Sequence, residues 1–281
     1  MRKLTKIWLI IATFLIVIGG SAFTVALAAS GWDFTNLSTV EYVSNTHLIT
    51  ESFSAISIET DVADIAFVAT DDDNYRVECY EFEKAQHAVS IDNGTLVVKV
   101  VNTRQWFDYI SINFGTPKIT VYLPRQDFDT IRVVNSTGDI RIENLAANMM
   151  DLTVSTGDIS VSNVSCYGDI KTKTTTGKID INNVTCNNFY TEGSTGDITL
   201  RNVIADQVLN ICRTTGDVTF NDCDANSLTI TTDTGDVSGS LLSGKTFTAR
   251  TSTGDIHVPD NTFGGTCAVT TSTGDINITV N

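Results

Sequence analysis

Seven aspartates occupy the same place in a repeated Thr-Gly-Asp triplet: Asp139, Asp158, Asp197, Asp217, Asp236, Asp255 and Asp275, with Lys178 in the remaining copy. The triplet glycines, Gly138, Gly157, Gly177, Gly196, Gly216, Gly235, Gly254 and Gly274, are separated by 19, 20, 19, 20, 19, 19 and 20 residues. Two chemistries fit such a column of carboxylates. Oxygen-rich columns suit hard divalent cations, so the seven aspartates are candidate calcium ligands, although the triplet is not the glycine-aspartate nonapeptide of calcium-binding β-rolls. The other reading is architectural. Carboxylates stacked one coil apart repel by about 1 kcal/mol per neighbouring pair even in water. Hydrogen bonds from backbone N–H groups at the corner, where a threonine precedes every glycine, would offset that repulsion. The architectural reading is preferred, calcium is kept as the alternative, and no other cofactor is expected. Lys178, between Asp158 and Asp197, reads as local charge relief.

Other reactive residue types are scattered. The histidines His47, His87 and His257 are too dispersed to form a recognisable metal cluster. No nucleotide-binding loop, nucleophile elbow or zinc-protease motif is present. Parallel β-helix enzymes cut polysaccharides with carboxylate pairs, or with calcium plus a basic residue, placed off the repeat. Here the acids belong to the repeat, so a non-enzyme is expected and no residue is assigned as catalytic. Six cysteines in an exported chain invite disulfides. Cys166 and Cys186 both lie nine residues after a triplet glycine, about 5 Å apart if the coils stack, but parallel Cα–Cβ vectors disfavour the bond. Cys223 and Cys267 fall in apolar columns and Cys79 in a strand, as buried thiols do, whereas Cys212 should face outward. Two acidic clusters, TDVAD at 60–64 and Asp71 to Asp73, lie outside the repeat, the second as a solvated turn. The aromatic stretch QWFDYISINF at 105–114 suits a contact patch and a strand core equally.

The elements that position these residues follow from the repeat. Two residues after each glycine stand Ile140, Ile159, Ile179, Ile198, Val218, Val237, Ile256 and Ile276, and the fourth position is also mostly apolar. Seven before it stand Ile131, Met150, Ile170, Phe189, Leu209, Leu228, Phe247 and Cys267. Alternation of this kind marks strands with one buried face on either side of the corner, and a polar turn follows at Asn144, Asn163, Asn183, Asn202 or Asp222. Glycine supplies the positive φ of the corner. One unit cannot fold alone: about five buried aliphatics contribute roughly 1.5–3 kcal/mol each, against roughly 30 kcal/mol to order twenty residues. Stacking must supply the rest. The expected fold is therefore all-β, a parallel β-solenoid of about 19–20 residues per coil over residues 131–281. Residues 31–130 form an N-terminal β region with a degenerate first coil, FSAISIETDVADIAF, and a hairpin on Asp92-Asn93-Gly94. The sequence predicts that the last coil ends the stack uncovered, and so offers an edge for self-association.

Residues 1–30 form a signal or transmembrane segment: Ile7 to Ala29 carry no charge and follow Arg2, Lys3 and Lys6. Ala26-Leu27-Ala28 also fits a signal-peptidase site. The protein is therefore expected outside the cytoplasm, either single-pass and anchored with its N-terminus inside, or secreted after cleavage near Ala28. Without those three cations the chain holds 15 Lys and Arg against 33 Asp and Glu, a net charge of −18. That surface repels nucleic acid and anionic lipid and aids solubility.

The uncharged N-terminal segment, the opening FSAISIETDVADIAF and the serial TGDI units together resemble the bacterial cell-envelope β-strand-repeat family called "putative adhesins", over roughly residues 50–281. The family's function is largely unassigned and it offers no catalytic residues to carry over. The resemblance implies an extracytoplasmic, often membrane-tethered β-solenoid linked to envelope stress. The expected function is non-catalytic, presenting a surface for adhesion or for envelope proteins. The alternative is an envelope-stress accessory or regulator acting on a membrane partner, and a polysaccharide-active enzyme ranks third. The expected partner is a cell-envelope or membrane protein or an extracellular ligand, with the membrane itself reached through the N-terminal segment and nucleic acid excluded.

Overall fold

The computed structural model describes residues 3–33, 40–71, 74–105, 115–260 and 264–281. Helix α1, Lys3–Ala29, is long and apolar enough to cross a membrane, and side chains such as Ile7, Trp8, Phe14 and Ile16 are exposed on it. The rest of the described chain is β-structure in one large, mostly parallel sheet.

Strands β8 (Asp127–Thr137), β9 (Ile140–Glu143), β10 (Ala146–Thr156), β11 (Ile159–Cys166), β12 (Asp169–Thr176), β13 (Ile179–Thr195), β14 (Ile198–Thr215), β15 (Val218–Thr234) and β16 (Val237–Leu241) wind through the repeats. Equivalent residues of successive units are register partners: Met150 pairs with Ile131 and Ile170, Ile159 with Ile140 and Ile179, and Ile198 with Ile179 and Val218. The apolar columns lie inside. Ile140, Ile159, Ile179, Ile198, Val218, Val237 and Ile276 are buried, as are Ile131, Met150, Ile170, Phe189, Leu209, Leu228 and Cys267. Stacking puts each corner glycine under its neighbour: a β-carbon on Gly157 would stand 2.1 Å from the carbonyl oxygen of Gly138. The corner thus excludes a side chain by contact as well as by its φ of 148°. The turn residues Asn144, Asn163, Asn183, Asn202 and Asp222 also have positive φ, a conformation that Asn and Asp tolerate best among non-glycine residues. Asn183 donates to Asn163 and accepts from Asn202 through their side-chain amides, at 2.7 and 2.8 Å.

The stack does not follow chain order at either end. Strands β2 (Ala55–Val62) and β3 (Asp64–Thr70) form the expected degenerate coil and pair with β8 and β9, Ile56 opposite Ile131 and Ile65 opposite Ile140. They are not outermost. β6 (Thr95–Asn102) and β7 (Lys118–Pro124) pair in parallel on their other side. β5 (Ala85–Asp92) closes against β6 in the expected hairpin, with Asn93 and Gly94 at φ 49° and 75°, the left-handed pair that a two-residue turn requires. β4 (Tyr75–Phe82) and β1 (Tyr42–Ile49) add antiparallel strands beyond β7.

At the other end, β17 (Lys245–Arg250) and β18 (Ile256–His257) do not pair with β15 and β16. The following coil, β19 (Gly265–Thr273) and β20 (Ile276–Val280), lies between the two, with Val269 opposite both Ile230 and Ala249 and Ile276 opposite both Val237 and Ile256. This corrects the expectation of an uncovered final coil offering an edge for self-association: β19–β20 is paired on both sides and the edge belongs to β17–β18. Ile256 is accordingly 42% exposed, the exception in a column that the sequence reads as uniformly inward. Among the described residues, no further coil covers its face.

Candidate functional site

The aspartate column forms a ladder on the outside of the corners. Asp64 Oδ1 accepts from the backbone N–H of Asp139 (3.1 Å), Asp139 from that of Asp158 (2.9 Å), and Asp158 from that of Lys178 (2.7 Å). After the break at Lys178 the pattern resumes from Asp197 to Asp217, Asp217 to Asp236, Asp236 to Asp275 and Asp275 to Asp255. The last two steps retain the changed coil order. Each bond places a carboxylate against a polarised N–H at the next corner, which is the contact the architectural reading requires. Beside the ladder runs a groove of about 390 Å³, in which Lys118, Arg141 and Lys178 alternate with Asp64, Asp139, Asp158 and Asp180. Its lining is therefore of mixed charge, on a protein of net charge −15.

Inside the corners, residues three before each glycine form a second column, whose polar members donate to corner carbonyls; Val154 and Gly193 interrupt it. Thr174 Oγ1 bonds the oxygen of Gly157 (3.1 Å), Asn135 Nδ2 that of Ala63 (2.8 Å), and Thr271 Oγ1 that of Gly235 (3.2 Å). Arg213 occupies the same position and is 2% exposed. Its guanidinium reaches the carbonyls of Gly196 (2.6 Å) and Gly177 (2.5 Å), and burial lowers its pKa against a smaller opposing pull from Asp197.

The degenerate coil diverts this column. Its member, Thr60, is 4% exposed and bonds His87 Nε2 at 2.7 Å instead of a carbonyl. His87, on β5, meets Glu81 Oε2 through both its backbone N–H and Nδ1, each at 2.7 Å. Glu81 Oε1 accepts from Asn45 Nδ2 of β1, also at 2.7 Å. Cys79 precedes Glu81 by two residues on the same face of β4, where burial and the Glu81 charge push its thiol up to about 12. The dispersed histidines are thus only part of the picture: His47 and His257 lie elsewhere, but His87 joins Cys79 and Glu81 in a group able to hold a metal ion. The sequence signal was the alternation Cys79-x-Glu81 followed by His87 just past a turn. Thr60, His87 and Glu81 have the connectivity of a hydroxyl–imidazole–carboxylate relay, but all are at most 5% exposed and no substrate can reach the hydroxyl.

All six thiols are free, Cys166 and Cys186 included; Cys212 is exposed and the other five are buried. Cys166 Sγ contacts the Asn148 carbonyl at 3.4 Å. Asp71 is exposed, whereas Asp72, Asp73 and residues 106–114 of the aromatic stretch lie outside the described residues.

Solved structures similar to this chain include a "putative adhesin" from Bacteroides fragilis, with 13% identity, a TM-score of 0.43, and coverage of 86% of this chain and 97% of that one. Another of that name, from Parabacteroides distasonis, has 12% identity, a TM-score of 0.43, and coverage of 86% and 98%. A third, from the same species and named as a lipid binding protein, has 10% identity, a TM-score of 0.30, and coverage of 85% and 96%. No curated protein matches the chain. The profile of the Toastrack DUF4097 family matches twice, over residues 53–168 and 165–281, so the two matches take in the degenerate coil and every Thr-Gly-Asp unit, and the chain belongs to that family.

Proposed function

We propose that this protein is a non-catalytic, membrane-anchored stack that stands outside the cytoplasm and holds another envelope or extracellular macromolecule on its outer face. Residues 1–30 anchor it, residues 31–130 build the anchor-side end, and residues 131–281 extend the face. The observation that carries this reading is the groove beside the aspartate ladder. It brings Lys118, Arg141 and Lys178, from alternate coils of the stack, together with four aspartates along one groove. A rigid repeat gives a partner many evenly spaced contacts at little ordering cost, and cations set among carboxylates favour specificity and orientation. The aspartates are read as corner architecture, not as calcium ligands.

The test compares the full chain in detergent with a Lys118→Gln/Arg141→Gln variant, which adds no carboxylate to the ladder, each immobilised and exposed to purified envelope fragments. The variant should bind at least tenfold less with an unchanged melting temperature. Equal binding would remove the groove from the contact, and no binding by the unaltered chain would remove the adhesive role.

A further inference from the structure

Three side chains with metal-binding atoms of different kinds meet at the end of the stack formed by β1, β4 and β5. The Cys79 sulfur, a Glu81 oxygen and a His87 nitrogen lie within 4.8 Å of one another. The three residues are 1%, 1% and 5% exposed. An adhesive outer face makes no use of them. We propose that Cys79, Glu81 and His87 bind a divalent d-block ion of the zinc class, with thiolate, carboxylate and imidazole as the three protein ligands.

Donor chemistry selects the class of ion. Thiolate and imidazole suit borderline-soft ions that accept tetrahedral geometry, whereas calcium and magnesium take oxygen ligands in larger number. The outer partners of such a site are already in position. Asn45 holds Glu81 Oε1, the His87 backbone N–H holds Oε2, and Thr60 holds His87 Nε2, with Oε2 and Nδ1 facing each other at 2.7 Å. Second contacts of this kind fix the orientation of metal-binding histidines and carboxylates. Two ligands each about 2.0–2.1 Å from a tetrahedral ion stand about 3.3 Å apart, so Oε2 and Nδ1 need to separate by only about 0.6 Å. The sulfur closes in from the neighbouring position on the same strand face.

The charge also balances. A divalent cation with one thiolate and one carboxylate is neutral, which suits a buried site, and one water completes the tetrahedron. On binding, the Cys79 thiol gives up its proton to solvent. In the bound form Nδ1 is the ligand and Nε2 carries the imidazole proton, donated to Thr60 Oγ1. Because the thiol must lose its proton to bind, metal affinity rises with pH.

The experiment uses the full chain in detergent, stripped of metal, with Co²⁺ as the optical probe. One equivalent should give a near-ultraviolet thiolate-to-cobalt charge-transfer band and intense visible tetrahedral bands, all removed by Zn²⁺. The charge-transfer band should vanish in Cys79→Ser and persist in Cys212→Ser. X-ray absorption of the unaltered, zinc-loaded protein should show one sulfur and a remainder of nitrogen and oxygen, a readout that stands even if Cys79→Ser fails to fold. Absence of the band, a band lost only in Cys212→Ser, or a zinc shell without sulfur would each overturn the proposal.

Discussion

The guanidinium of Arg213 fills the space that a side chain at Gly193 would occupy: a β-carbon on Gly193 would stand 1.9 Å from Arg213 Nη1. The two residues are register partners on adjacent coils, both in the inward column three before a corner glycine. One large donor in that column therefore requires a bare backbone beside it. In return, Arg213 bonds two corner carbonyls at once, those of Gly196 and Gly177, where a threonine such as Thr174 serves one.

Gly193→Ala should accordingly destabilise the protein by about 1–3 kcal/mol through overpacking. Arg213→Thr should cost a similar amount, about 1–3 kcal/mol, because the part-buried Gly177 carbonyl loses its charged donor. Urea unfolding followed by circular dichroism measures both. A Gly193→Ala protein as stable as the parent would mean that the guanidinium has another place to go.

The aspartate ladder predicts a structural cost that does not depend on calcium. Asp158→Ala removes the 2.7 Å bond from the Lys178 N–H and should destabilise by about 1 kcal/mol, equally in millimolar calcium and in chelator. Thermal unfolding under the two conditions decides the matter. A loss seen only with calcium would make the column a metal site.

The buried thiols predict weakening at alkaline pH. Burial pushes Cys79 and Cys186 up to about 12, and Cys223 and Cys267 up to about 11, from 9.0. Above pH 9 the unfolded chain releases these protons while the folded chain keeps them. The resulting stability is fully present below that pH and is lost as pH rises toward the folded values. Denaturant midpoints should fall between pH 9 and pH 11, less steeply in Cys186→Ala than in the parent. A thiol reagent near neutral pH should modify Cys212 alone; rapid reaction of a second cysteine in the folded protein would contradict the burial.

The changed coil order predicts opposite outcomes at two equivalent positions. Ile276→Asp buries a carboxylate in a covered coil, where Ile276 is 0% exposed, and should unfold the C-terminal coils. Ile256→Asp, on the edge coil at 42% exposure, should be tolerated to within about 1 kcal/mol. Hydrogen exchange of residues 237–281 reads both. The reverse pattern, Ile256→Asp unfolding the end and Ile276→Asp tolerated, would argue for coils stacked in chain order.

Much was legible without coordinates. The 19- and 20-residue steps, the inward columns, the corner glycines and the hairpin at Asn93-Gly94 are local or periodic properties, and the period itself implies stacking because a single coil cannot bury its own apolar face. Cys212 was placed outward and Cys79, Cys223 and Cys267 inward by the same alternation. The strand Tyr42–Ile49 carries no triplet and has no period to announce it. Coil order was not legible for a physical reason: coils built on one template present interchangeable edges, so the repeat specifies how coils dock but not which docks on which. Only loop lengths and end packing in the folded chain set β19–β20 between β16 and β18, and β2–β3 between β7 and β9. Nor does any period bring Thr60, Cys79, Glu81 and His87 together. They come from a corner column, an antiparallel strand and a hairpin, and they meet only where those three pack at the end of the stack.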